Sequence, residues 1–198
     1  MKYPEIFDVS NLELWKTKYL RKEILSREWD MMVHQDLEDV LVLPIFTKEF
    51  CDKFVENVKD LKYHQSDRWG TPTDILSAES LGLFDTILHI VSEYLYNVTN
   101  HFWRIEGRKW KGMNIDPQIL KFKTGQDLRL HHDYCSITMS IKMDSNSKGG
   151  ELLFEKYGTI NPEQGFVYIY PGQITHRYGI RRIKNFDRYF FNIYCYAN

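Results

Sequence analysis

The sequence predicts an α+β fold in which helices come first and an antiparallel double sheet, a sandwich or barrel, follows. Three observations carry this. Apolar residues recur at helical spacing through the first half of the chain. After Trp110 the texture changes to short runs rich in β-branched and aromatic residues. Gly125, Gly149-Gly150, Gly158, Gly165 and Pro171-Gly172 punctuate those runs.

Residues 1–35 read as a helical extension, with Leu12, Trp15, Tyr19 and Leu20 near a helical period among Lys16, Lys18, Arg21 and Lys22. Such a helix covers one face of the core, or an interface. Asp39 to Phe46 (DVLVLPIF) is an apolar, β-branched run and predicts a strand. Thr47 then offers an N-cap with Glu49 in the first turn, and Phe50, Phe54, Val58 and Leu61 fall on one helical face. His64 to Thr73 is rich in turn formers and predicts a loop. Leu81 to Tyr96 predicts a second helix, with Leu81, Phe84, Leu88, Val91 and Leu95 buried; His89 within it reads as a surface or core residue, not a ligand. Five strands are then expected, at 118–123, 136–143, 151–155, 165–170 and 189–196.

A length of 198 residues fits one domain spanning 1–198, and 43% hydrophobic residues supply a full core. Charge is balanced, 26 Lys and Arg against 27 Asp and Glu, which gives no global drive toward nucleic acid or an anionic membrane. The local basic runs, Arg104 to Lys111 and Arg181, Arg182, Lys184, read as solvated surface. Cys51, Cys135 and Cys195 form neither a disulfide framework nor a CxxC pair. The first residues lack a signal-peptide apolar run, and no stretch approaches the ~20 apolar residues of a membrane span. A cytoplasmic location with no membrane partner is the expectation.

The chemistry concentrates in Leu128-Arg129-Leu130-His131-His132-Asp133. On extended chain His131 and Asp133 point to one face and His132 to the other. An inward HxD pair plus one later histidine makes a 2-His-1-carboxylate set, which suits non-haem Fe(II) because three positions stay open. His176 is the only histidine downstream, just after a strand and a Pro-Gly turn. Two open positions take a bidentate 2-oxo acid and one takes dioxygen. The far carboxylate of a 2-oxo diacid needs a planar cationic fork, and Arg188 opens the last aromatic strand. The competing reading leaves His131 and His132 on a surface loop and pairs Arg188 with Asp187 or Glu163.

These residues bring a family resemblance. The chain resembles the catalytic domain of the procollagen lysyl hydroxylases, within the Fe(II)/2-oxoglutarate dioxygenase superfamily. Its carriers are Trp15-Lys16-Thr17-Lys18-Tyr19, Asp39 to Val55, Pro72-Thr73-Asp74-Ile75, LRLHHD at Leu128 to Asp133, Gly149-Gly150 with the strand after it, Pro171 to His176, and Arg188-Tyr189. The resemblance implies a double-stranded β-helix (jelly roll), Fe(II), 2-oxoglutarate split to succinate and carbon dioxide, ascorbate to keep the iron reduced, a protein or peptide substrate, and a homodimer. It gives His131 and Asp133 as metal ligands and Arg188 as the cosubstrate anchor, with His176 kept as the third ligand from its place downstream.

Three departures from the family pattern stand out. Family members carry a second histidine two residues after Thr-His, and that later one is the ligand; here the position is Tyr178, so the ligand is expected to shift to His176. Arg188 then lies twelve residues on instead of ten, which a two-residue insertion within 181–186 would explain. A tyrosine that helps bind 2-oxoglutarate is Phe122 here, so Thr138 or Ser136 is expected to supply a hydroxyl. The usual acidic-then-proline C-terminus is absent, the chain ending at Asn198.

The leading expectation is a hydroxylase of a protein side chain, lysyl hydroxylase-like, with Asp144, Glu151 and Glu155 as candidates for an acidic mouth. A prolyl, small-molecule or nucleobase hydroxylase is the alternative within the superfamily. A nucleobase enzyme should show a basic, aromatic channel, for which Trp103, Arg104, Arg108, Trp110 and Lys111 are candidates. The third expectation is a non-catalytic binding module on a decayed dioxygenase fold, motivated by Tyr178 and Phe122.

Overall fold

The structure, a computed structural model, describes residues 1–68, 70–103 and 114–196. The basic run from Arg104 to Lys111 and the terminal Asn198 lie outside the described residues.

The N-terminal segment is helical, as expected, but in three short pieces: α1 (Leu12–Tyr19), α2 (Lys22–Ser26) and α3 (Trp29–Met32). The Asn11 side chain accepts from Leu14 N at 3.0 Å and starts α1. Leu20 ends it, because its extended backbone bridges to Phe46 and Arg21 N donates to Ile45 O. Trp15, Tyr19, Leu20 and Ile24 are buried in the main core; each large apolar side chain so buried contributes about 1.5–3 kcal/mol.

β1 (His34–Leu37) and β2 (Val40–Pro44) form a hairpin. β2 is the expected apolar strand, buried throughout; β1 is polar and mostly exposed and gave no pattern to read. Thr47 Oγ1 accepts from Phe50 N at 3.3 Å and caps α4 (Lys48–Val58), whose Phe50, Phe54 and Val58 are fully buried.

The expected loop at 64–73 is a hairpin instead. β3 (His64–Arg68) pairs with β4 (Thr71–Ser77) at the outer edge of the sheet. Such an edge strand is polar on both faces and carries no alternation. The second helix starts and ends later than expected: α5 (Phe84–Ile90) runs through a π-helical turn, Val91–Leu95, into α6 (Tyr96–Trp103). Ile87, Ile90, Val91, Tyr94 and Leu95 are its buried face, with Phe84 and Leu88 only partly buried. Among the described residues no helix is long and apolar enough to cross a membrane.

The second half is strand after strand: β5 (Asn114–Phe122), β6 (Leu128–His131), β7 (Ile137–Lys142), β8 (Lys148–Gly149), β9 (Leu152–Phe154), β10 (Gly158–Ile160), β11 (Phe166–Pro171), β12 (Tyr178–Ile180), β13 (Ile183–Asn185) and β14 (Arg188–Tyr196). The large sheet has the order β1-β2-β11-β7-β14-β5-β4-β3 and the small one β10-β9-β12-β6. From β5 onward the chain passes back and forth between them, with antiparallel pairing in both, which makes a jelly roll. β8 and β13 close one end as a separate two-stranded pair.

Strand alternation divides the large sheet's side chains between two cores. Ile119, Met139, Ile141, Val167, Phe191 and Ile193 face the helices. Leu120, Phe122, Tyr168, Tyr170 and Phe190 face inward, against Leu128, Leu152, Phe154, Tyr178 and Ile180 of the small sheet. The same alternation puts Thr138, Ser140 and Lys142 of β7, and Arg188, Asn192 and Tyr194 of β14, on the inward face.

Candidate functional site

His131 ends β6, and Asp133 follows two residues later. His131 Nδ1 lies 2.9 Å from Arg129 O, so that nitrogen carries the proton. Nε2 is left facing Asp133 Oδ1 at 3.4 Å. The other carboxylate oxygen accepts from Thr138 Oγ1 at 2.5 Å. Both residues are buried, His131 at 5% and Asp133 at 7% exposure. A histidine fixed through its far nitrogen by a backbone carbonyl, beside a carboxylate fixed by a hydroxyl, is how proteins orient metal ligands.

His176 does not join them. It lies past a turn in which Ile174 adopts φ 59°, before β12 begins. Its Nε2 donates to Glu38 O at 2.9 Å and its Nδ1 accepts from Thr175 Oγ1 at 2.9 Å, so both nitrogens are used. The ring stacks on Tyr157, centroids 4.7 Å apart, and is 1% exposed. The expected ligand is therefore a core histidine that ties the β1–β2 turn to the small sheet. Tyr178 takes the place beside the pair: it is opposite His131 in the β12–β6 register, with ring centroids 4.6 Å apart. Arg188 follows Tyr178 by ten residues, so the family spacing holds without the insertion expected between 181 and 186.

Arg188 is on the inward face as expected, and 1% exposed. Its guanidinium donates to Ser147 Oγ at 2.5 Å, Gly150 O at 3.0 Å and Gly149 O at 2.7 Å, and lies 3.5 Å from Asp144. It pairs with neither Asp187 nor Glu163; Asp187 sits by Lys121 at 3.4 Å. The Gly149-Gly150 motif is explained here. Both have positive φ, and a Cβ on Gly150 would stand 3.1 Å from the Arg188 guanidinium carbon and 2.5 Å from Ile183.

The other expected cosubstrate ligands differ in place. The Thr138 hydroxyl is committed to Asp133, so Thr138 positions the carboxylate. Ser136 precedes β7, half-buried, its backbone N–H donating to Cys195 O. Phe122 is inward-facing, opposite Arg188 in the β14–β5 register.

A cavity of about 370 Å³ opens beside Asp133, lined by Asp67, Asp116, Gln118, Tyr134 and Tyr194. The acidic mouth is thus built from other residues than those expected. Asp144 is buried and held by Arg188, Ser147 and the Tyr189 N–H, and Glu155 pairs with Arg177 at 2.9 Å. Asp116 and Gln118 could have been found from alternation along β5, which turns both inward. Asp67 sits on the unrecognised strand β3.

The side chains fit iron at two of three protein positions. Among the described residues no three His, Cys, Asp or Glu groups stand close enough together to hold a metal. His131 and Asp133 have the required chemistry and orientation; the third side is a phenol. Burial first, then the Asp133 charge, pushes the Tyr178 and Tyr170 hydroxyls well above the usual tyrosine range, so both stay protonated. The Tyr170 hydroxyl is fully buried and interacts with the Tyr178 hydroxyl, the two rings meeting edge to face with centroids 5.0 Å apart.

No family model matches the sequence. Procollagen-lysine,2-oxoglutarate 5-dioxygenase 2 of Mus musculus is 28% identical over 192 residues, 88% of this chain and 26% of the relative. The chain thus spans about a quarter of the length of the curated relatives it matches. Among solved structures, a Trichoplax adhaerens prolyl hydroxylase in complex with a hypoxia inducible factor peptide fragment has TM-score 0.67 at 11% identity, covering 95% of this chain and 94% of that one. A 2OG-Fe(II) oxygenase family oxidoreductase from Burkholderia pseudomallei has TM-score 0.62 at 14% identity, covering 81% and 86%. The chain therefore resembles the procollagen-lysine 5-dioxygenases in sequence, and its fold is the jelly roll of the 2OG-Fe(II) oxygenases.

Proposed function

We propose that the chain is an Fe(II)- and 2-oxoglutarate-dependent hydroxylase of a protein side chain, lysine before others. The observation that carries this is the His131–Asp133 pair: buried and side by side, His131 fixed by the Arg129 carbonyl and Asp133 by the Thr138 hydroxyl, with Asp133 lining a cavity. His131 and Asp133 would hold the metal. When bound, iron supplies the activation of dioxygen, coupled to splitting 2-oxoglutarate into succinate and carbon dioxide. Ascorbate would keep it reduced.

The chain's own residues do the positioning. Thr138 holds the Asp133 carboxylate in one rotamer. Tyr178 packs over the His131 ring and walls one side from water. Asp67 and Asp116 give the cavity the sign that a lysine ammonium requires, while Tyr134 and Tyr194 offer apolar faces for its methylene stem. The named substrates of the sequence relatives, procollagen lysines, and the peptide complex of the Trichoplax neighbour support a polypeptide substrate.

A second reading is favoured by Tyr178 and by the full set of carbonyl acceptors around Arg188: a peptide-binding module that keeps the fold and the acidic cavity without turnover. One experiment separates the two. The purified chain is incubated with Fe(II), ascorbate, 2-oxoglutarate and lysine- or proline-containing peptides, and succinate and peptide mass are followed. Succinate together with one oxygen added to lysine supports the hydroxylase. Peptide binding without succinate supports the module.

A further inference from the structure

Tyr134, Tyr194 and Tyr196 all line the cavity beside Asp133, and Asp67, Asp116 and Gln118 complete its described wall. Strand alternation places Tyr194 and Tyr196 on the same face of β14. Tyr194 stands opposite Thr138 of β7 on one side and opposite Asp116 of β5 on the other. Residues directly opposite in an antiparallel pair have Cβ atoms about 4.5–5.5 Å apart. Tyr194 therefore rises between the hydroxyl that holds Asp133 and the Asp116 carboxylate. It is 5% exposed and forms the floor; Tyr196 is 37% exposed, and Tyr134, on the loop after Asp133, stands 77% exposed at the lip.

The carboxylates are partly committed. Asp133 Oδ2 accepts from Thr138, and Oδ1 faces His131. Asp116 Oδ2 accepts from Gln118 Nε2 at 2.5 Å. Asp67 is exposed at the rim. No lysine or arginine is among the described residues of the wall. The cavity thus has the sign that draws a cation, yet what it shows that cation is mostly ring.

This balance selects among ammonium groups. A primary ammonium has three N–H donors and is strongly hydrated, so it gains little by leaving water for a wall with few open acceptors. N-methylation keeps the charge, removes donors and weakens hydration. Attraction to the faces of tyrosine rings then decides, as in the aromatic cages that recognise methylated lysine.

We infer that the cavity selects a lysine whose ammonium carries N-methyl groups over an unmodified one. The stem passes Tyr134 at the lip, the methyl groups rest on Tyr194 and Tyr196, and a remaining N–H reaches the second oxygen of Asp116. The volume of about 370 Å³ has room for a dimethylammonium and the end of its stem. This names the substrate of the hydroxylase reading and rests on that reading for turnover; the binding itself needs no metal.

The test is fluorescence anisotropy of one labelled lysyl peptide, unmodified and dimethylated on its lysine, with the metal-free protein. The wild type is expected to bind the dimethylated peptide at least fivefold more tightly. Tyr196→Phe keeps the ring and should keep that preference. Tyr196→Leu keeps apolar bulk without the ring and should bring the two peptides within twofold of each other, thermal unfolding showing that both variants fold. Equal or tighter binding of the unmodified peptide by the wild type, binding of neither peptide, or a preference kept in Tyr196→Leu overturns the inference. Turnover distinguishes the two proposals. A methyl preference without succinate formation, in the presence of Fe(II), ascorbate and 2-oxoglutarate, leaves the cage standing and removes the hydroxylase. Succinate with one oxygen added to unmodified lysine, and no methyl preference, does the reverse.

Discussion

His131 and Tyr178 face each other across the β6–β12 pairing, ring against ring with centroids 4.6 Å apart. The residue opposite His131, the ligand proposed above, is thus a phenol held protonated by burial, where an imidazole would complete a facial triad. Tyr178→His should raise metal affinity at least tenfold, read by Co(II) titration. Unchanged affinity would mean that position 178 does not face the metal.

The Thr138 hydroxyl donates a hydrogen bond to Asp133 Oδ2 at 2.5 Å. Thr138→Val removes a hydrogen bond to a charged group, about 1.5–3 kcal/mol. Metal affinity should fall roughly 10–100-fold, as for other groups that orient a ligand. Calorimetric titration checks this, and an unaltered affinity would place the carboxylate's restraint elsewhere.

His176 acts in the fold. His176→Ala strands the Glu38 carbonyl and opens a gap beside Tyr157, so a loss of about 2–4 kcal/mol in urea unfolding is expected. Succinate formation per folded molecule should stay within twofold of wild type. Loss of turnover without loss of stability would return His176 to the metal.

On the proposed function, the acidic cavity sets the preference for a cationic side chain. Asp116→Asn and Asp67→Asn should each raise KM for a lysyl peptide about fivefold, the roughly 1 kcal/mol of a partly exposed charge pair. The KM for 2-oxoglutarate should not move. Equal shifts in both constants would point to general disruption.

Lys142 gives stability a pH signature. Its folded pKa is depressed by burial and by Arg188, while the unfolded chain keeps 10.5. Between those values the unfolded state binds more protons, so stability rises with pH. Relative to Lys142→Met, the wild type should be least stable below the folded pKa, and the difference should close as pH approaches 10.5. A difference that widens with pH contradicts a buried ammonium.

Much of this was legible in the sequence where one face of an element is buried. Asp39–Phe46, the α4 face with its Thr47 cap, and the long strands β5, β7, β11 and β14 announce themselves by apolar pattern. The edge hairpin β3–β4 and the three-residue strands β10, β12 and β13 are too short or too polar to carry a period, whereas β9 lies within the strand expected at 151–155. In the site, the His131–Asp133 pair follows from spacing alone. The third member did not, because His176 and Tyr178 differ by a turn whose course depends on Ile174 at φ 59°, and a turn of that kind leaves no mark in residue spacing.

Calorimetric titration of Fe(II) under anaerobic conditions, into Asp133→Ala and His176→Ala beside the wild type, tests the assignment of the metal to the 131–133 pair most directly. The account predicts that binding is lost in Asp133→Ala and kept in His176→Ala. Binding kept in the first and lost in the second would contradict it.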